Sequence, residues 1–122
     1  MADTEKLVFM VLHGASHPEH ATIPFVMAGA ALASDVEVVL GFQADGVELM
    51  RRGGLDGIEA PGFPPLKKLV DDVRELGGKL LVCGPCLKSR EIVADDLVEG
   101  AEIVAAGRFV AEITSATNSL VY

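Results

Sequence analysis

Apolar positions in this chain alternate between short near-continuous runs and stretches with helical spacing, and that alternation predicts its elements. Residues 6–13, KLVFMVLH, form an apolar run closed by Gly14, the pattern of a strand buried on both faces. In the following HPEHATIPFVMAGAALASD, Ile23, Val26, Met27, Ala30 and Ala31 recur at helical spacing until Ser34-Asp35, and VEVVLGF at 36–42 is β-rich. These segments make a strand–helix–strand unit. ADGVELMRRGG predicts a short helix from about Ala44 to Arg52, with Asp45 near its start and Gly53-Gly54 as its stop, and LDGIEAPGF follows as a loop.

The clearest helix opens at Pro64-Pro65 and carries Leu66, Leu69, Val70, Val73 and Leu76 on one face until Gly77-Gly78 ends it. KLLVC is a third buried strand, AEIVAA at 101–106 a fourth, GRFVAEITSA a last helix and SLVY a terminal strand. Strands alternating with helices predict a single α/β domain over residues 1–122, a sandwich with a mainly parallel sheet whose central strands are Leu7–Leu12 and Leu80–Val82.

Composition narrows this picture. At 122 residues the chain fits one domain. Half of it is hydrophobic, aromatic residues make up 5% and Trp is absent, so the core is aliphatic. Mean hydropathy is +0.39 and the sequence pI about 4.7. A net charge of −8 argues against nucleic acid and acidic membrane as partners, since both call for a basic face. No apolar run reaches the roughly 20 residues of a spanning helix. The opening MADTEKLVFMVLHG reads as neither signal peptide nor anchor, so a cytoplasmic location is expected.

Two cysteines in one CxxC are too few and too close for a secreted disulfide framework. The tetrapeptide CGPC at 83–86 is that of thioredoxins, but a thioredoxin places it early and packs a later cis-proline against it. Here all six prolines lie at or before Pro85, so the identity is local. Its physical meaning survives: Cys83 ends a buried strand, Gly84 permits a sharp turn and Pro85 suits a helix start. Helix N-terminal amides, with Lys88 and Arg90, would favour a thiolate and bring Cys83 below the ~8.5 of a free cysteine, whereas burial beside Leu80, Leu81 and Val82 would raise it. Simple strand burial of Cys83 is the competing structural reading.

His13, His17 and His20 cluster after the first strand, at the sheet edge where open α/β sheets bind ligands. His13 is the candidate general base or thiolate partner for Cys83. A metal site built from Cys83, Cys86 and His13 is disfavoured because none of the established zinc spacings occurs, and neither a metal nor a cofactor is expected. GGLDGIEAPGF matches neither GxxxxGK[ST] nor GxGxxG and reads as a shaped loop, and Asp95, Asp96, Glu99 and Glu102 read as a solvated acidic face.

Over residues 6–122 the chain resembles the DsrE/DsrF-like (YchN-like) family of small sulfur-relay proteins. FMVLHGASHPEHATIPFVMAGAAL, GVELMRRGGLDGIEAPGFPPLKKLV, GGKLLVCGPCLKSREI and DDLVEGAEIVAAGRFVAEI carry the resemblance. It implies a three-layer sandwich with a five-stranded, mostly parallel sheet and helices on both faces, assembled as trimers or hexamers. It also implies sulfurtransferase-like or thiol redox chemistry in which Cys83 carries sulfur as a persulfide and Cys86, the mark of a CxxC-bearing branch, resolves it. At Glu91 the chain departs from the family, whose usual run is Arg-Gly-Ile rather than REI. The reading from a different class is a non-catalytic binding or assembly module, using the same edge to hold a partner or a metal.

Overall fold

Every strand runs parallel to its neighbours in the computed structural model, which describes residues 4–122. The strands β1 (Lys6–Val11), β2 (Glu37–Phe42), β3 (Lys79–Cys83), β4 (Ala101–Val104) and β5 (Asn118–Val121) form one sheet in the order β4-β3-β2-β1-β5. The mostly parallel sheet expected from the sequence is thus wholly parallel. The helices are α1 (Pro18–Ala33), α2 (Leu66–Glu75), α3 (Gly84–Ser89) and α4 (Ala106–Thr114). The short helix expected near Ala44 is a 3-10 helix over Ala44–Met50, and a second 3-10 turn at Ala94–Asp96 was not expected. Among the described residues no helix is long and apolar enough to cross a membrane.

From β1 to β4 the chain moves one way across the sheet; from β4 to β5 it returns past three strands. Right-handed crossovers require such a reversal to carry its helix to the opposite face. Residues on each strand divide accordingly. Phe9, Val11, Val38, Leu40, Phe42, Leu80 and Val82 pack with Phe25 of α1, Leu66, Val70 and Val73 of α2 and Leu87 of α3. Val8, Met10, Val39, Leu81 and Val104 meet Phe109 of α4 on the other side. Gly41 makes room for that helix, since a Cβ there would stand 2.7 Å from both the Met10 sulfur and the Phe109 ring.

Strand pattern and strand burial agree at Val8–Val11 and Leu80–Val82, which are buried on both faces, while Leu7 is half-buried and Leu12 half-buried and past the strand end. In α2, Leu66, Val70 and Val73 are buried, each contributing about 1.5–3 kcal/mol, while Leu76, at the helix end, is exposed. The predicted face of α1 is right only in part: Ala31 is buried and Ile23 and Val26 are half-buried. Ala21, Pro24, Phe25, Ala28 and Ala31 are its buried apolar residues, whereas Met27 is 42% exposed and Ala30 faces solvent. From Ala21 to Ala33 this helix has no charged residue on any side, so periodicity could not select the core face.

α1, α2 and α3 end alike. The residue past each cap is left-handed, at Asp35 (φ 61°), Gly77 (φ 95°) and Glu91 (φ 56°). After α3, Glu91 N–H donates to Lys88 O at 3.1 Å and Ile92 N–H to Leu87 O at 3.0 Å, with Leu87 and Ile92 both buried. This is the Schellman ending, whose left-handed position normally takes glycine because a Cβ there costs roughly 1–2 kcal/mol. The departure from Arg-Gly-Ile therefore falls on a position that the backbone wants for glycine. Glu91→Gly is expected to stabilise the chain by about 1 kcal/mol, read as a higher midpoint in urea with unchanged slope; an unchanged or lower midpoint would contradict the strain.

Candidate functional site at the end of the third strand

β3 and β4 are neighbours, with Cys83 paired to Val104, yet their chains leave towards opposite faces: α3 to the side of α1 and α2, α4 to the other. Open α/β sheets bind ligands beside such a divergence, because no helix covers the crevice between the two exits. Cys83 stands at that point. Gly84 lies against β4, its Cβ position 3.3 Å from Ile103 Cγ2 and 3.4 Å from Val104 O.

Cys83 is the N-cap of α3, and its sulfur accepts the Cys86 N–H at 3.3 Å. A thiol here does what serine or aspartate usually does at a helix start. Pro85 falls within the first helical turn, where its missing N–H costs nothing. Cys86 is one turn further on, and its sulfur accepts the Ala44 N–H at 3.4 Å. Both cysteines are free and half-buried.

Arg90 joins α3 to the 3-10 helix. Its Nη1 donates to the Cys86 carbonyl at 3.2 Å and its Nη2 to Asp45 Oδ1 at 2.8 Å. The guanidinium is held in its charged form mainly by Asp45. It is therefore a paired clamp rather than a free cation aimed at Cys83.

Burial pushes the Cys83 thiol up from its ordinary value, and hydrogen bonding with the Cys86 thiol adds to this; the Cys86 amide and the charge of Arg90 oppose the rise without overcoming it. Of the two opposing effects expected at Cys83, burial outweighs the helix amides and the charges of Lys88 and Arg90. Arg90 is spent on Asp45, and Lys88 makes no hydrogen bond to either sulfur among the described residues.

Of the residues singled out in the sequence, Cys83, Cys86 and Arg90 meet in one constellation and His13 does not join it. β2 lies between β1 and β3, which separates the strand ends by about 10 Å. His13 instead packs tilted against its own neighbours, ring centroids 4.7 Å from His17 and 4.8 Å from His20, and no hydrogen bond joins it to either sulfur among the described residues. Its Nδ1 is buried without a partner. Among the described residues no three His, Cys, Asp or Glu side chains are arranged to hold a metal ion.

Ala44 and Asp45 were missed as site residues. Asp45 announced only a helix start, and no sequence signal marks a backbone amide as a thiol's partner. A cavity of about 530 Å³ lined by Asp71, Arg74, Glu75 and Glu99 opens at the other end of β3, beside Gly78 and Leu80, away from the thiols.

The chain matches the model of the DsrE/DsrF-like family over residues 5–122. It is 32% identical over 105 residues to the uncharacterised protein MJ0760 of Methanocaldococcus jannaschii, covering 86% of this chain but 38% of that protein. MJ0989 of the same organism is 29% identical over 104 residues, 85% of this chain and 88% of its own length. Among solved structures it is similar to YchN of E. coli, with a TM-score of 0.72 at 16% identity over 98% of this chain and all of that one. MTH1491 of Methanobacterium thermoautotrophicum, a protein of unknown function, gives 0.73 at 17% identity over the same shares.

Proposed function

We propose a sulfur-relay function from the premise that this chain belongs to the DsrE/DsrF-like family: Cys83 accepts sulfur as a persulfide, and Cys86 resolves it. The observation that carries the reading is the paired thiols at the divergence of β3 and β4, each sulfur facing a backbone amide. In the loading step the Cys83 thiolate attacks the outer sulfur of a donor persulfide. A bond forms between Cys83 and that sulfur, and the donor leaves as its thiolate. A backbone N–H at the accepting sulfur favours the charged state through which the step passes.

Incubation with a persulfide donor followed by peptide mass spectrometry tests this. A gain of one sulfur atom, about 32 Da, on the peptide carrying Cys83 is expected, and the absence of any gain would remove the carrier role. The work belongs in the cytoplasm, where a reducing environment keeps both thiols free.

The same reading includes a homo-oligomer, a trimer or a hexamer. Ile103, Val110, Ile113 and Val121 are exposed apolar side chains on α4 and the two edge strands, the kind of surface that subunits cover. Light scattering at micromolar concentration is expected to give a mass at least three times that of one chain; a monomer would dismiss the assembly.

A further inference from the structure

We propose that Asp45 is a positioning residue for Cys86: by gripping Arg90 it holds Ala44 in place, so that the Ala44 amide donates to the Cys86 sulfur and keeps that sulfur ready to attack. The chemical role rests on the carrier reading above; the positioning stands on geometry.

Three segments converge here. Arg90 bridges Asp45 Oδ1 at 2.8 Å and the Cys86 carbonyl at 3.2 Å, so one guanidinium locks the start of the 3-10 helix onto α3. Ala44, between β2 and Asp45, is held at φ 50°, a conformation that a residue with a Cβ keeps only where its surroundings impose it. Its N–H points at Cys86 Sγ, 3.4 Å away. Behind it the turn is wedged against the end of β1: a Cβ at Gly14 would stand 2.9 Å from Asp45 O, and one at Gly46 2.0 Å from Val11 O. Asp45 therefore ties this turn to α3 as well as to β1.

The step this prepares is resolution. With a persulfide on Cys83, the Cys86 thiolate attacks the Cys83 sulfur and a bond forms between the two cysteines. The bond from Cys83 to the outer sulfur breaks, and its electron pair leaves with that sulfur as hydrosulfide. The Cys86 sulfur is oxidised and the outer sulfur reduced, so no further oxidant is needed. An amide on Cys86 favours the thiolate that must wait for this attack.

Electrostatics and positioning predict opposite signs for Asp45→Asn. Removing a carboxylate near a thiol, with nothing else changed, favours the thiolate and speeds alkylation. Releasing Arg90 and Ala44 withdraws the amide from the Cys86 sulfur and slows alkylation. The experiment is the rate of alkylation of the whole chain by iodoacetamide at neutral pH, with Cys86 read by peptide mass spectrometry and folding checked by circular dichroism. In Asp45→Asn the Cys86 alkylation rate is expected to fall about threefold or more, with Asp45→Glu returning it most of the way.

A rate that rises or stays unchanged overturns the proposal. Should Asp45→Asn not fold, Asp45→Ser breaks the same clamp and is read with the same sign. Alkylation needs no sulfur donor, so this outcome is separate from whether Cys83 gains sulfur. On chains that have gained it, hydrosulfide release by Asp45→Asn is expected to slow about two- to threefold at neutral pH, and an undiminished rate overturns the role in resolution.

Discussion

Cys83→Ser is expected to gain no sulfur at all, and Cys86→Ser to gain one atom and keep it. The asymmetry follows from the two positions. Cys83 is the N-cap at the crevice between β3 and β4, half-buried at the sheet edge where open α/β sheets bind ligands. Cys86 lies a turn further into α3, under Ala44. A serine at 83 keeps the cap, because its hydroxyl accepts the Cys86 amide as the sulfur does, so the chain stays folded and loses only the nucleophile. A serine at 86 removes the attacking thiolate, and the persulfide on Cys83 has nowhere to go.

The pH dependence of loading follows from the burial of Cys83. The thiolate is the attacking form. Burial and the Cys86 thiol favour the neutral thiol and push its ionisation up, so at neutral pH only a small fraction attacks. Loading is expected to accelerate steadily as pH rises, levelling only above the raised pKa. A rate that is flat between about pH 6 and 8 would mean that Cys83 is already ionised there and that the amide outweighs burial. Loading on Cys86 in the Cys83→Ser chain would reverse the assignment of the two sulfurs.

Gly46→Ala is expected to destabilise the chain by about 4 kcal/mol or more, enough to leave a large fraction unfolded. A Cβ there would lie 2.0 Å from the carbonyl oxygen of Val11 and 2.8 Å from its carbon, and both atoms belong to the buried end of β1. Backbone in a central strand cannot move aside as a side chain can. Relief would have to come from shifting the 3-10 helix away from β1, which would also carry Ala44 off Cys86. Gly29→Ala is the control. It lies in α1 with nothing within 4 Å of the new Cβ, and a gain of about 0.5–1 kcal/mol is expected from helix propensity. Urea midpoints for the two variants should move in opposite directions; a mild effect at Gly46 would show that the turn can slide.

Local physics, written in the order of residues, determined much of this protein. Runs such as KLVFMV and KLLVC can only be buried strands, since their side chains on both faces are apolar. Helices between them force parallel neighbours, because a crossover is the only way back to the same end of the sheet. The CGPC segment placed a thiol at a strand end and a second one a turn into a helix, and both stand where that spacing put them.

What the tertiary structure alone decided is which edges meet. β2 lies between β1 and β3, so His13 is a strand's width further from Cys83 than adjacent strands would allow, and strand order is a property of how the whole chain winds. The buried face of α1 was settled by the shape of the sheet and α2, because an apolar surface all round carries no directional signal. The upward shift of the Cys83 thiol comes from its partial burial against both sides of the sheet, set against the local helix amide. Ala44, Asp45 and Arg90 converge on Cys86 from segments more than forty residues apart. Contacts of that range depend on packing, and no window along the chain can hold them.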